Sequence, residues 1–390
     1  MQRKRIMVFC DYYLPGFKSG GGMWTVVNLV DRFHDRYDFF VVARNHDGKA
    51  DLKPYEAVKT GEWNSVGSAK VFYLDGKHLN VGFFRKLIGE IKPDVLFLNS
   101  VFSRPSITLL RARKTSGLSG IPVILSPCGE LAGAALKLKA AKKKLFLNAA
   151  KLTGLYRDVI WRASFESDSK EIRAAIGADI EILCAPDLPP KSILPDFDIS
   201  EKPVKTEGHV RFIFVSRIVR KKNLHFFIER LSSCDTGSVT LDIVGPIEDK
   251  EYWNECLSAM SALPQNVSVN LVGALPYQEI LMRMRSAHFF VLPTLNENFG
   301  YVFIEALACG SPLLISDRTA WNEIGSKGSG WAIPLEDPAA WKAAILECVE
   351  MGHDEFSKMA KAAREHAVTW LEDESIESAT TRLLERAVTG

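Results

Sequence analysis

FFVLPTLNENFGYVFIEALACGSPLL, residues 289–314, decides how this 390-residue chain is read. It opens on an apolar run at 289–292, the length of a buried strand, closed by Pro293 and the polar turn Thr294, Leu295, Asn296. From 299 to 308 nearly every side chain is apolar, which predicts a buried helix. Gly310 and Pro312 stop it before a second buried strand at 313–316. Glu305 lies inside that helix, with Val302, Phe303, Ile304, Ala306, Leu307 and Ala308 on all sides, so there is no polar stripe for it to join. Because an unpaired buried carboxylate costs several kcal/mol, Glu305 is expected to accept hydrogen bonds from the hydroxyls of a ligand. Glu297 stands where strand gives way to helix, outside the carboxyl end of a strand, which is where open α/β sheets bind ligands. The amides of Asn298, Phe299 and Gly300 form a helix mouth suited to oxygen-rich groups, the pattern of a sugar or nucleotide site.

Outward from this stretch, apolar runs alternate with helical spacings. Strands are expected at 6–10, 39–43, 71–74, 95–98, 123–125, 159–161 and 180–184, then at 210–216, 241–245 and 267–273. Such alternation specifies parallel sheets with crossover helices, and the length calls for two domains. A loop ending in Gly20, Gly21 and Gly22 precedes a helix at 23–33, the strand, glycine-rich loop and helix that bring backbone amides against a phosphate. Residues 46–67 interrupt the rhythm as a surface insertion. Residues 185–208 carry Pro186, Pro189, Pro190, Pro195 and Pro203 among charges, a linker composition. The domains are drawn at 1–190, 191–208 as linker, and 209–370, with about 371–390 returning to the first.

Composition excludes several classes. A net charge of +2 argues against a dedicated nucleic-acid binder. Seven scattered cysteines with no C-x-x-C pair suit free thiols in a reducing cytosol and form no zinc site. The apolar run after the basic N-terminus is too short for a signal peptide, and no run reaches the roughly 18 apolar residues of a spanning helix. Residues 133–155, GAALKLKAAKKKLFLNAAKLTGL, read as one basic amphipathic helix, so 137–151 is a candidate contact for an anionic membrane surface or a diphosphate-linked acceptor. The pair Asp196 and Asp198 sits in the proline-rich stretch and reads as solvated rather than metal-binding.

The pair Glu297 and Glu305, seven residues between them, set in PTLNENFGYVFIEALACGSPLL, resembles the donor-site signature of the retaining nucleotide-sugar glycosyltransferases of family 4. That resemblance implies the GT-B fold: two Rossmann-like domains facing a cleft, with the last helix crossing back near Trp370. It implies a nucleoside diphosphate sugar as donor, transfer to a glycan or lipid-linked acceptor with retention, and no metal or other cofactor. By the same resemblance Glu297 and the amides after it hold the transferred sugar and Glu305 the ribose. Gly21 and Gly22 face the donor, and Arg217 and Lys222 of SRIVRKKNL hold the diphosphate. Fixed cations there also make chemical sense, since nucleotide departure leaves negative charge that they stabilise. Where much of the family has His or Arg, this chain has Cys128, followed by Gly129 and Glu130, expected on the acceptor side. Glycan assembly at the cytoplasmic face of a bacterial membrane is the association this family carries. Two rivals differ in class. A nicotinamide dehydrogenase needs a G-x-G-x-x-G spacing that GFKSGGGMW lacks, whereas a two-lobed sugar-nucleotide binder without turnover is kept open by Cys128.

Overall fold

The computed structural model describes residues 3–17, 19–48, 52–115, 118–137, 140–190, 193 and 198–389, with the backbone alone at 115, 134 and 137. The chain forms two compact units, Met1–Lys191 with Glu374–Gly390, and Ser192–Asp373.

In the first unit the strands are β1 (Lys4–Phe9), β2 (Tyr37–Arg44), β3 (Trp63–Val66), β4 (Ala69–Leu74), β5 (Val95–Asn99), β6 (Val123–Ser126), β7 (Val159–Ala163) and β8 (Ile182–Cys184). They form one sheet in the order β3-β4-β2-β1-β5-β6-β7-β8, parallel except for β3, which pairs antiparallel with β4. The helices are α1 (Gly21–Phe33), α2 (Val81–Ile91), α3 (Arg104–Thr115), α4 (Gly133–Lys137), α5 (Ala140–Leu152) and α6 (Glu166–Ile176). Helices on both faces explain why the central strands are buried along their whole length, β5, β6 and β7 at every position; their polar residues, Asn99, Ser126 and Arg162, come only toward the carboxyl ends.

The second unit holds β9 (His209–Val215), β10 (Ser238–Val244), β11 (Val267–Gly273), β12 (Phe289–Leu292), β13 (Leu313–Ser316) and β14 (Gly330–Ile333), with α7 (Leu224–Leu231), α8 (Lys250–Met260), α9 (Tyr277–Ser286), α10 (Tyr301–Ala308), α11 (Pro338–Glu350) and α12 (His353–Leu371). Its sheet is wholly parallel in the order β11-β10-β9-β12-β13-β14. Strand order reverses between β9 and β12, so a crevice opens beyond their carboxyl ends. The turns after those two strands carry Arg217, Lys222 and Glu297. Helix α13 (Glu374–Thr389) belongs to the first unit. It is fastened there by Arg36 and Arg32 to Glu377 and by Arg386 to Glu181.

Three local readings need correction. The helix after Glu297 starts at Tyr301 rather than 299, because Gly300 takes φ 73°, ψ 73°. The glycine run is not all loop: α1 starts at Gly21, so Gly21 and Gly22 form its first turn behind Gly20. The proline-rich stretch is built in at both ends. Asp187 is buried in the first unit, and in the second Lys202 and Lys205 are 6% and 1% exposed. The Lys202 ammonium donates to the carbonyls of Met284, Arg285 and Ala287 (3.1, 3.2 and 2.7 Å). That of Lys205 donates to Val349 and Met351 (3.1 and 2.9 Å). These amines satisfy the carbonyl ends of α9 and α11, although burial lowers the pKa of Lys202 to about 7, and composition cannot distinguish such buried donors from solvated charge.

The insertion at 46–67 also has a structural task. Asp47 accepts from the Phe17 amide at 2.8 Å and the Ser19 hydroxyl at 3.0 Å, while the Tyr55 hydroxyl donates to the His46 carbonyl at 2.9 Å. It thereby holds the loop that leads into α1.

Candidate functional site

In the second unit, β9 runs out at Val215 and the chain turns through Arg217 into a short 3-10 turn, Arg220–Lys222. The Lys221 carbonyl accepts from the Thr294 hydroxyl (3.1 Å) and the Leu295 amide (2.9 Å), which ties this turn to the one after β12. Lys222, whose side chain is 11% exposed, ion-pairs with Glu297. Arg220 turns outward to Glu255 (2.8 and 2.5 Å) and over the Tyr252 ring, so Lys222 is the cation of this turn that faces Glu297. Arg217 reaches Glu248 at 3.0 Å. Burial pushes the Glu297 carboxyl up, but the charges of Lys222, Lys221 and Arg217 outweigh it and hold the group below its ordinary range.

Glu305 presents the opposite case. Its residue is 8% exposed and, among the described residues, no hydrogen bond or ion pair reaches its carboxylate. Burial alone pushes its pKa up to about 7. Glu297 and Glu305 bracket the first turns of α10, and Gly300 lets the chain between them turn tightly: a Cβ there would lie 2.8 Å from Cγ of Glu297 and 2.6 Å from the Phe303 ring.

Residues far away in sequence hold this loop. The Phe299 ring is 2% exposed and lies among Tyr301 (5.0 Å between centroids), Trp321 (5.7 Å) and Trp370 (4.9 Å). The Trp321 indole N–H donates to the Phe299 carbonyl at 2.7 Å. His366 joins the cluster 5.9 Å from Trp321, its Nδ1 bonded to Ser329 Oγ at 2.9 Å. Sequence reading missed Trp321 and Trp370 as supports of the loop between Glu297 and Tyr301, since nothing local marks a tryptophan as a neighbour of Phe299. Trp370 itself remains in the second unit, and the chain passes to the first only after Asp373.

At the strand ends of the first unit stands a buried polar cluster. Arg162, buried in β7, donates to Ser126 Oγ and to Asp187 Oδ1, both at 3.0 Å, and Thr25 donates to the same Asp187 oxygen at 2.9 Å. Cys128, at φ 52°, directs its thiol to Asn99 Oδ1 (3.1 Å), while Asn99 donates to the Gly22 carbonyl (2.6 Å). Burial, then the Asp187 charge, pushes the Cys128 thiol up to about 12, so it is neutral near pH 7. Gly129 follows at φ 72°. Glu130 is half-buried rather than a surface carboxylate: it accepts from the Ser100 hydroxyl (2.8 Å) and the amides of Val101 (2.8 Å) and Phe102 (3.3 Å). Burial nonetheless leaves its pKa above the ordinary value.

Asp196 and Phe197 lie outside the described residues, and Asp198 caps a short turn by accepting from the Ser200 amide at 2.9 Å. Among the described residues no cluster of three or more His, Cys, Asp or Glu is arranged to hold a metal ion.

Comparison with known proteins agrees with this architecture. Residues 196–366, which fall within the second unit, match the family described as glycosyl transferases group 1. Among curated relatives, the amylovoran biosynthesis glycosyltransferase AmsK of Erwinia amylovora is 31% identical over 164 residues, 40% of this chain and 39% of that protein. The O-antigen chain mannosyltransferase RfbU of Salmonella typhimurium is 27% identical over 141 residues, 36% of this chain and 39% of its own. The matches span between about a fifth and two fifths of the length of such relatives. Solved structures extend over the whole chain. Sucrose-phosphate synthase from Thermosynechococcus elongatus superposes with a TM-score of 0.72 at 15% identity, covering 98% of this chain and 99% of that one. Anabaena HepE in complex with UDP and glucose gives 0.69 at 16% identity, covering 98% and 100%. The fold is GT-B.

Proposed function

We propose that the protein is a retaining glycosyltransferase that moves a sugar from a nucleoside diphosphate sugar to an acceptor hydroxyl in the assembly of a bacterial surface glycan. The observation that carries this reading is the contrast on α10: Glu305 is buried and unanswered one short helix away from a Glu297 held ionised by Lys222. A group of hydroxyl donors is what Glu305 lacks, and the ribose of a nucleotide supplies it. The diphosphate then falls to Lys222 and Arg217, and the sugar to Glu297 with the turn of Asn298, Phe299 and Gly300.

In this reading the acceptor oxygen forms its bond to the anomeric carbon on the face from which the diphosphate oxygen departs. The acceptor proton passes to a departing phosphate oxygen, and the charge left on the nucleoside diphosphate is stabilised by the two fixed cations. Glu297 orients the sugar and forms no bond to it, and no metal is required. The surface-glycan assignment draws on the names of AmsK and RfbU, and the UDP-bound neighbour makes UDP the first nucleotide to try. The acceptor, a glycan or lipid-linked intermediate, would meet the first unit near Cys128, Gly129 and Glu130. Capture of a sugar nucleotide without turnover is the second reading, favoured by Cys128, whose neutral thiol is no proton acceptor.

One experiment separates them. Thermal denaturation with UDP, GDP and their sugars is expected to show stabilisation by one set, about 2.7 kcal/mol at a hundredfold excess over Kd. Free nucleotide should be released with the matching acceptor, and Glu297→Gln should cut release at least a hundredfold while retaining nucleotide binding. Stabilisation without release identifies the binder. If no nucleotide or nucleotide sugar stabilises the protein, both readings fail.

A further inference from the structure

The stretch that holds α4 and α5 contains none of the donor-site candidates, and its chemistry is strongly one-sided. Residues 133–155 hold six lysines and no acidic residue. Helix α5 turns Leu147 and Ala150 inward against the first unit. Lys143 lies along the inner edge, donating to the Ala135 carbonyl at 2.8 Å and standing 4.9 Å over the Phe102 ring. The face pointing away carries Lys144 and Lys151 one heptad apart and, beside them, Leu145 and Leu152 one heptad apart, with Lys142 on the flank. Leu145 is 73% exposed and Leu152 90%. Lysines next to leucines on the outer face are the reverse of an ordinary solvated helix, whose leucines face the core. Between α5 and α6 opens a cavity of about 430 Å³ lined by Leu136, Leu147, Ala140 and Ala141 together with Lys144 and Lys151.

We infer that this face of α5 docks on an anionic lipid bilayer, with Lys142, Lys144 and Lys151 at the headgroup phosphates and Leu145 and Leu152 among the upper acyl segments. Charge selects the occupant: phosphates complement the lysines, while the two leucines need an apolar phase that a soluble anion does not supply. Among the described residues no helix is long and apolar enough to cross a membrane, so the contact is a peripheral one. It rests on residues of the first unit alone and stands independently of the transfer reaction.

Vesicle sedimentation tests it, using phosphatidylcholine vesicles with and without about a third phosphatidylglycerol. The wild-type protein should sediment with the anionic vesicles at low salt, remain largely free with the neutral ones, and weaken as salt rises. All five side chains are exposed, so their substitution leaves the fold intact, which circular dichroism verifies. Lys142→Gln, Lys144→Gln and Lys151→Gln combined should weaken binding roughly a hundredfold, about fivefold per charge. Leu145→Ser with Leu152→Ser should weaken it at least tenfold even at low salt, which simple charge attraction would not produce. Wild-type protein that ignores anionic vesicles at low salt overturns the inference. So does a double leucine variant that binds as well as wild type, or a lysine-dependent affinity for soluble pyrophosphate in place of vesicles.

Discussion

At the strand ends of the first unit, Arg162, Asp187, Thr25 and Ser126 answer one another, and Cys128 and Asn99 close the same network. At the strand ends of the second, Lys222 answers Glu297, but among the described residues nothing answers Glu305. Both units have the same reversal of strand order, so topology alone offers a crevice in each. What separates them is completeness. A network whose donors and acceptors are matched internally contributes to the fold, whereas a buried carboxylate without donors costs stability and is tolerated where a ligand supplies what is missing.

The comparison breaks first, and most heavily, at Arg162. Arg162→Met should lose about 3 to 5 kcal/mol in denaturant unfolding, because Asp187 is left buried without its countercharge. Adding Asp187→Asn should recover most of that loss, and if the double variant is as unstable as the single one, the cluster is not a closed charge pair. The next effect has the opposite sign. With a folded pKa of about 7 against an ordinary 4.5, Glu305 contributes stability that is complete below about pH 4.5 and lost as pH rises through 7. Glu305→Gln abolishes that titration, so it should unfold at a higher temperature than wild type at pH 8, by on the order of 3 kcal/mol. The difference should close toward pH 4.5, and stabilisation by nucleotide should be lost. Equal pH dependence in the two proteins would show that Glu305 has donors after all.

The mildest perturbation sharpens the contrast from the loop side. Trp321→Phe preserves the ring cluster but leaves the Phe299 carbonyl without its donor, costing about 1 to 3 kcal/mol. If Trp321 positions the loop that the proposed function gives to the sugar, nucleotide-sugar affinity should fall about tenfold, while affinity for the nucleoside diphosphate, which that proposal gives to Glu305, Lys222 and Arg217, should change less than twofold. Loss of both together would make Trp321 a general support only.

What short-range physics determines is legible in the sequence. Buried parallel strands announce themselves as unbroken apolar runs, and Glu305 stood out because an acid with no polar neighbour on its helix has no bland explanation. What sequence reading missed depends on contacts between distant segments. Lys202 and Lys205 looked like solvated charge because the helix ends that receive them lie about 80 and 145 residues further on. Trp321 and Trp370 converge on Phe299 from two other elements. Glu130 reads as an ordinary surface acid until the left-handed corner at Cys128 and Gly129 turns it onto the amides of Val101 and Phe102.

The raised pKa of Glu305 carries one more consequence. Near neutrality the empty molecule holds a fraction of a proton on that carboxyl. A hydroxyl-bearing guest that needs the ionised form must expel this proton into the solvent as it settles. The strength of its grip is therefore set partly by the acidity of the surroundings, and falls as the solution turns acid.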